Sequence, residues 1–109
     1  IHLTPDEWSR LGESGATVAF CPTSNLFLGS GLFDMTAARA NKVHVAMATD
    51  VGAGTTFNMF KTYGDAYKVS QLRNDPLSPL EGFYLMTQGA AIAHGLDEEI
   101  GNSTRRRFR

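Results

Sequence analysis

One carboxylate stands where a chain can do chemistry. In "VAMATDVGAGTTF", Val45 to Phe57, an apolar run ends at Asp50, and small residues with glycines at 52 and 54 follow. A carboxylate so placed can ligate a divalent metal, take a proton from bound water, or orient a charged group of a substrate. Gly52 and Gly54 suit all three, because a chain without Cβ approaches a ligand closely. The same position also suits an ordinary turn, in which the aspartate oxygen accepts neighbouring amides. Position and composition leave these readings open.

A single carboxylate is not a metal site, since zinc takes three or four protein ligands. The remaining candidates are His2, His44, His94 and Cys21. No two histidines form an H-x-H or H-E-x-x-H arrangement. His2 precedes a helix, His44 opens a strand at the end opposite Asp50, and His94 falls near a helix C-terminus, where positive charge is favourable. Cys21 ends an apolar strand and could face the same rim as Asp50, although such cysteines are commonly buried. No histidine stands where it would pair with Cys21 as a nucleophile.

The elements that must position Asp50 are legible. "LTPDEW" predicts a helix with Thr4 as N-cap, Pro5 at the first position and Glu7 reaching back to the cap, running to about Ser14 and stopped by Gly15. Ala16 to Cys21 reads as a strand closed by Pro22. "TSNLFLGSG" reads as a loop, and a short helix is expected around Asp34 to Ala40. Val43 to Thr49 forms a second strand, whose near-continuous apolar character suits a parallel sheet covered on both faces. After the Asp50 to Phe57 loop, a helix carries Met59, Tyr63, Ala66 and Tyr67 on one face, weakened at Gly64 by about 1 kcal/mol relative to alanine. A last helix starts at Ser78, with Pro79 and Glu81 repeating the first cap signal, and continues to Gly95. Its apolar residues surround much of the axis, which predicts burial against more than one neighbour.

Helix, strand, helix, strand, helix, helix is βα architecture. Chemistry in such folds gathers at the carboxyl ends of the strands. Asp50 is expected there on the second strand, and Cys21 with the "PTSN" loop on the first. Two parallel strands cannot close a barrel or protect both sheet edges, so the chain reads as part of a larger sheet.

Composition bounds the remainder. The 109 residues, 42% of them hydrophobic, suit one small domain with a core. A lone cysteine excludes an internal disulfide framework and fits a reducing, cytoplasmic setting. Neither a membrane span nor a signal peptide is indicated. Four of the ten basic residues, Arg105, Arg106, Arg107 and Arg109, cluster at the end, leaving an acidic body. Without an aromatic platform or a basic helix face, that tail predicts no specific nucleic-acid partner.

Three stretches, "FCPTSNLFLGSGLFDM" (Phe20 to Met35), "ATDVGAGTTFNMFKTYGDAYKVSQL" (Ala48 to Leu72) and "EGFYLMTQGAAIAHGLDEEIGN" (Glu81 to Asn102), together resemble the C-terminal third of the guanine deaminases, in the amidohydrolase superfamily. "IHLTPDEW" resembles the segment after the sixth barrel strand of those enzymes. The resemblance implies an α/β fold, a partial (β/α)8 TIM barrel around strands 7 and 8, with residues 1–102 as a partial barrel domain and 103–109 as an atypical basic C-terminal tail. It implies zinc-dependent hydrolysis of guanine to xanthine and ammonia. Asp50 matches the family aspartate after strand eight, a metal-site residue that handles a proton of the attacking water. The family's metal histidines come from strands one, five and six, so His2 does not match one, and a proton-shuttling glutamate and most purine contacts also fall outside this sequence. Phe20 stands where relatives usually carry histidine in "HCP", which implies loss of a polar group near the active-site rim. The resemblance thus predicts a catalytically incomplete segment that retains zinc poorly, if at all. The alternatives are a noncatalytic, self-associating homo-oligomer and a hydrolase of another heteroaromatic compound.

Overall fold

The structure, a computed structural model, describes residues 2–103. The four arginines of the tail therefore lie outside the described residues.

Helix α1, Pro5–Ser14, begins as the residues dictate. Thr4 accepts from the Glu7 amide while the Glu7 carboxylate accepts from the Thr4 amide, a complete capping box that satisfies two otherwise orphaned donors. Gly15 ends it in the left-handed region at φ 68°. Strands β1, Thr17–Phe20, and β2, His44–Met47, pair in parallel with Thr17 opposite His44 and Phe20 opposite Met47. The amide of Ala48 donates to the Phe20 carbonyl at 3.0 Å and carries the pairing one step past β2. Both carboxyl ends thus lie on one side.

Between the strands the chain departs from expectation. The stretch expected to be loop contains α2, Pro22–Phe27, ahead of α3, Met35–Ala40. Pro22 occupies the first turn, where its fixed φ suits a helix and its missing N–H costs nothing, and Gly29 follows the helix end at φ 66°. Proline before and glycine after was the signal that could have found it. Pro22 thus both closes the strand and opens a helix.

Helix α4, Met59–Leu72, is capped by Asn58 and buries Thr62, Ala66, Val69 and Ser70. Tyr67, expected on the inner face, is 43% exposed, because the buried stripe is centred on Ala66 and Val69 instead. The helix expected from Ser78 to Gly95 is two helices, α5, Pro79–Met86, and α6, Gln88–Ala93. They break at Thr87, whose backbone leaves the helical region (φ −126°, ψ −95°) while its hydroxyl donates to the Phe83 carbonyl at 2.7 Å. The Ser78 cap forms, but the Glu81 side chain turns to Arg39 rather than back to the cap amide. Helix α5 touches α4, α6 and β2, yet Leu80, Phe83 and Tyr84 remain exposed, so its apolar girdle is only partly buried among the described residues.

The core gathers where α1, the strands, α3, α4 and α5 meet. Phe20 stacks on Phe33 with ring centroids 4.6 Å apart, and Trp8 meets Phe33 edge-on at 6.0 Å. Phe20 is 3% exposed. Its ring is therefore a core element, and the side chain at this point serves packing. At the surface, Arg39 joins α3 to Asp75 and Glu81, Thr36 donates to Asp75, and Arg73 pairs with Asp34.

Candidate functional site at the carboxyl end of the strands

Parallel pairing sends the chain out of both strands on the same side, and Cys21 and Asp50 emerge there. Cys21 is half-buried, and its thiol donates weakly to the Ala19 carbonyl at 3.5 Å. Burial first, and the Asp50 charge second, push that thiol above its ordinary value. The shared rim expected for these two residues is present.

Asp50 is exposed and adopts φ 48°, an uncommon conformation for a residue with a side chain. Its carbonyl explains how the conformation is held. It accepts from the amides of Ala53 at 3.2 Å and Gly54 at 2.5 Å, and Val51 bridges to Gly54. The turn is therefore tied by the Asp50 main chain, while its carboxylate makes no hydrogen bond or ion pair among the described residues. Asp34 provides the contrast, since its Oδ1 accepts from the Ala37 amide as an ordinary helix cap. Of the readings open for Asp50, capping is not the one its side chain adopts.

Gly54 is required by space. A Cβ there would lie 1.9 Å from the Thr49 carbonyl oxygen. Beside this loop, a polar recess of about 400 Å3 is bordered by Thr23, Thr55, Thr56, Lys61 and Lys68. A larger cavity, about 600 Å3, lies elsewhere, among Phe83, Met86, Ala91, His94 and Ile100, and includes neither Asp50 nor Cys21. Being apolar, it offers little to a reaction that moves protons, and the strand rim remains the better chemical candidate.

The histidines do not converge on that rim. His44 is exposed at the amino end of β2, His94 caps the C-terminus of α6, and His2 lies against Gly31, where an added Cβ would be 2.9 Å from its ring. Among the described residues no three His, Cys, Asp or Glu side chains are grouped so as to hold a metal ion. These residues by themselves do not fit a zinc centre. Thr23, in the "PTSN" stretch expected at this end of β1, was assigned no role of its own from the sequence; in the structure its hydroxyl donates to the Thr49 carbonyl beside Asp50.

Comparison with known proteins agrees with this architecture. Residues 1–104 match the amidohydrolase family. The chain is 57% identical to guanine deaminase of Escherichia coli K12 over 102 residues, which are 94% of the chain and 23% of that enzyme. The solved structure of the E. coli enzyme superimposes with a TM-score of 0.91 over 94% of the chain and 24% of its own. A probable guanine deaminase of Deinococcus radiodurans is 42% identical over 95% of the chain and 24% of its length. The guanine deaminase of C. acetobutylicum, solved with guanine in its active site, is 28% identical with a TM-score of 0.84, over 94% of the chain and 25% of its own. The chain thus spans about a quarter of the length of the relatives it matches.

Proposed function

Since the chain belongs to the amidohydrolase family, we propose that it forms one portion of a guanine deaminase, contributing the Asp50 carboxylate to a centre that converts guanine and water to xanthine and ammonia. In this reading β1 and β2 are strands 7 and 8 of a (β/α)8 barrel, residues 1–102 belong to the barrel domain, and 103–109 form a distinct tail. The observation that carries the proposal is Asp50 itself. It stands at the carboxyl side of a parallel pair, in a turn tied by its main chain, with its carboxylate left over for chemistry.

Guanine as substrate rests on the similarity to guanine deaminases, one of which holds guanine in its active site. Water adds to the purine carbon bearing the exocyclic amino group, and that group leaves as ammonia once protonated. Asp50 is the residue here that can accept a proton from the water, and the one that can serve as an anionic oxygen ligand to a metal. The zinc expected for the family would need further ligands from outside residues 2–103, so no step through a metal follows from these residues.

The test is a chimera in which this chain replaces the matching quarter of E. coli guanine deaminase. Loss of guanine absorbance should proceed in the chimera, and Asp50→Asn should lower kcat by about a hundredfold or more, the scale of a missing acid-base group. A folded chimera in which Asp50→Asn keeps the parent kcat would overturn the assignment. Activity on another heteroaromatic amine but not on guanine would move the substrate and leave the site.

A second reading, self-association with another copy of the chain, is favoured by Phe57, Phe60, Leu72 and Leu80, which are 69–84% exposed. Light scattering of the 109-residue polypeptide distinguishes the two: a monomer at micromolar concentration rules this reading out.

A further inference from the structure

The Asp50 turn is tied to α2, the helix that follows β1, through one buried hydroxyl. Thr23, in the first turn of α2, is 3% exposed, and its Oγ1 donates to the Thr49 carbonyl at 3.3 Å across 26 positions of sequence. Thr49 immediately precedes Asp50, so this bond fixes the peptide from which the carboxylate projects. Gly54 closes the arrangement from the other side. A Cβ on Gly54 would meet the Thr49 oxygen at 1.9 Å, the Asp50 oxygen at 3.0 Å and Thr23 Oγ1 at 3.0 Å. Hydroxyl, carbonyl and glycine thus occupy one packed contact, and the Asp50 carbonyl is held in the same turn by Ala53 and Gly54.

From this we propose that Thr23 is a positioning residue: through the Thr49 carbonyl it holds the left-handed Asp50 turn against the β1 rim and so sets the direction of the carboxylate. The inference builds on the role proposed for Asp50 but concerns geometry, not turnover. A left-handed aspartate is strained and persists only where its surroundings over-determine it. Two main-chain bonds and one side-chain bond supply that constraint here, and among the described residues the Thr23 bond is the one that ties the turn to α2. A valine at this position keeps the shape of threonine and removes the donor, leaving the Thr49 carbonyl without that partner.

The experiment uses the 109-residue chain and two readouts that need no activity: amide hydrogen exchange at Ala53 and Gly54, and the 13C resonance of the Asp50 carboxyl group. Thr23→Val should speed exchange at both amides by about tenfold, the scale of one lost hydrogen bond. It should also shift the Asp50 carboxyl resonance, while amides of α1 keep their rates. Thr23→Ser, which keeps the donor, should restore both signals. Should Thr23→Val not fold, Gly54→Ala, which presses on the same contact and leaves Thr23 in place, should give the same local signature. Unchanged exchange and an unmoved carboxyl resonance would overturn the proposal. So would uniform acceleration that includes α1, since that marks a general core role. Asp50→Asn activity in the chimera fails or succeeds independently of these signals, so the two readings fall separately.

Discussion

Gly82 of α5 lies directly on the ring of Tyr63 in α4: a Cβ at position 82 would be 2.1 Å from Tyr63 Cε2 and 2.3 Å from Cδ2. The glycine is what lets the two helices approach, and Tyr63 packs against the core from that contact.

Gly82→Ala should therefore destabilise the chain by about 1–3 kcal/mol through overpacking. In a Tyr63→Ala background the clash is gone and the ordinary helix preference of alanine remains, so the same substitution should stabilise by up to about 1 kcal/mol. Denaturant midpoints for the four chains of the cycle check this reversal of sign. An equal effect in both backgrounds would show that the ring does not set the cost.

Acid should loosen the junction of α3 with the segment ahead of α5. Burial raises the Asp75 carboxyl, but the Thr36 hydroxyl, the Arg39 guanidinium and the Arg73 charge together outweigh it and hold Asp75 below its ordinary value of 3.8. A group depressed in the folded state stabilises above its unfolded value and loses that contribution as pH falls through the folded one. Stability should thus fall below pH 3.8, by about 1 kcal/mol or less for so exposed a pair. Arg39→Ala should flatten this part of the profile, as measured by urea midpoints from pH 6 downward.

The thiol of Cys21 should report on the rim. Alkylation requires the thiolate, and burial together with the Asp50 charge raises the thiol above its ordinary value of 9.0. The rate should therefore rise with pH later than that of a free cysteine. Asp50→Asn removes the smaller of the two causes, so the curve should move to lower pH without reaching that of the free thiol. A curve unmoved by Asp50→Asn would place the carboxylate away from Cys21.

The 109-residue polypeptide alone should retain zinc substoichiometrically after dialysis and show negligible conversion of guanine, because its described residues group no three metal-binding side chains. Elemental analysis and the absorbance assay check both. Full turnover surviving purification would refute this expectation.

Much of this was legible in the residues because the signals are local. The Thr4 and Glu7 box, Gly15, Ser78 and the two β-branched runs each act within a few positions of sequence, and each forms as expected. Where two local signals overlapped the reading failed: Pro22 closes a strand and also opens α2, and Thr87 breaks a segment whose apolar residues argue for a continuous helix. Phe20 shows a different limit. Its type says apolar, but only the tertiary structure shows that its partner is the ring of Phe33.

The sequence by itself determined both strands and the first, third and fourth helices, the place of Asp50 and Cys21 at strand ends, and the resemblance to a family, because periodicity, capping and motif order are written in neighbouring residues. Tertiary structure alone decided that Thr23 reaches the Thr49 carbonyl, that Gly54 and Gly82 must lack side chains, and that the histidines do not gather at the Asp50 rim. Those outcomes depend on which distant segments meet and how closely, which follows from how the core packs around the two strands.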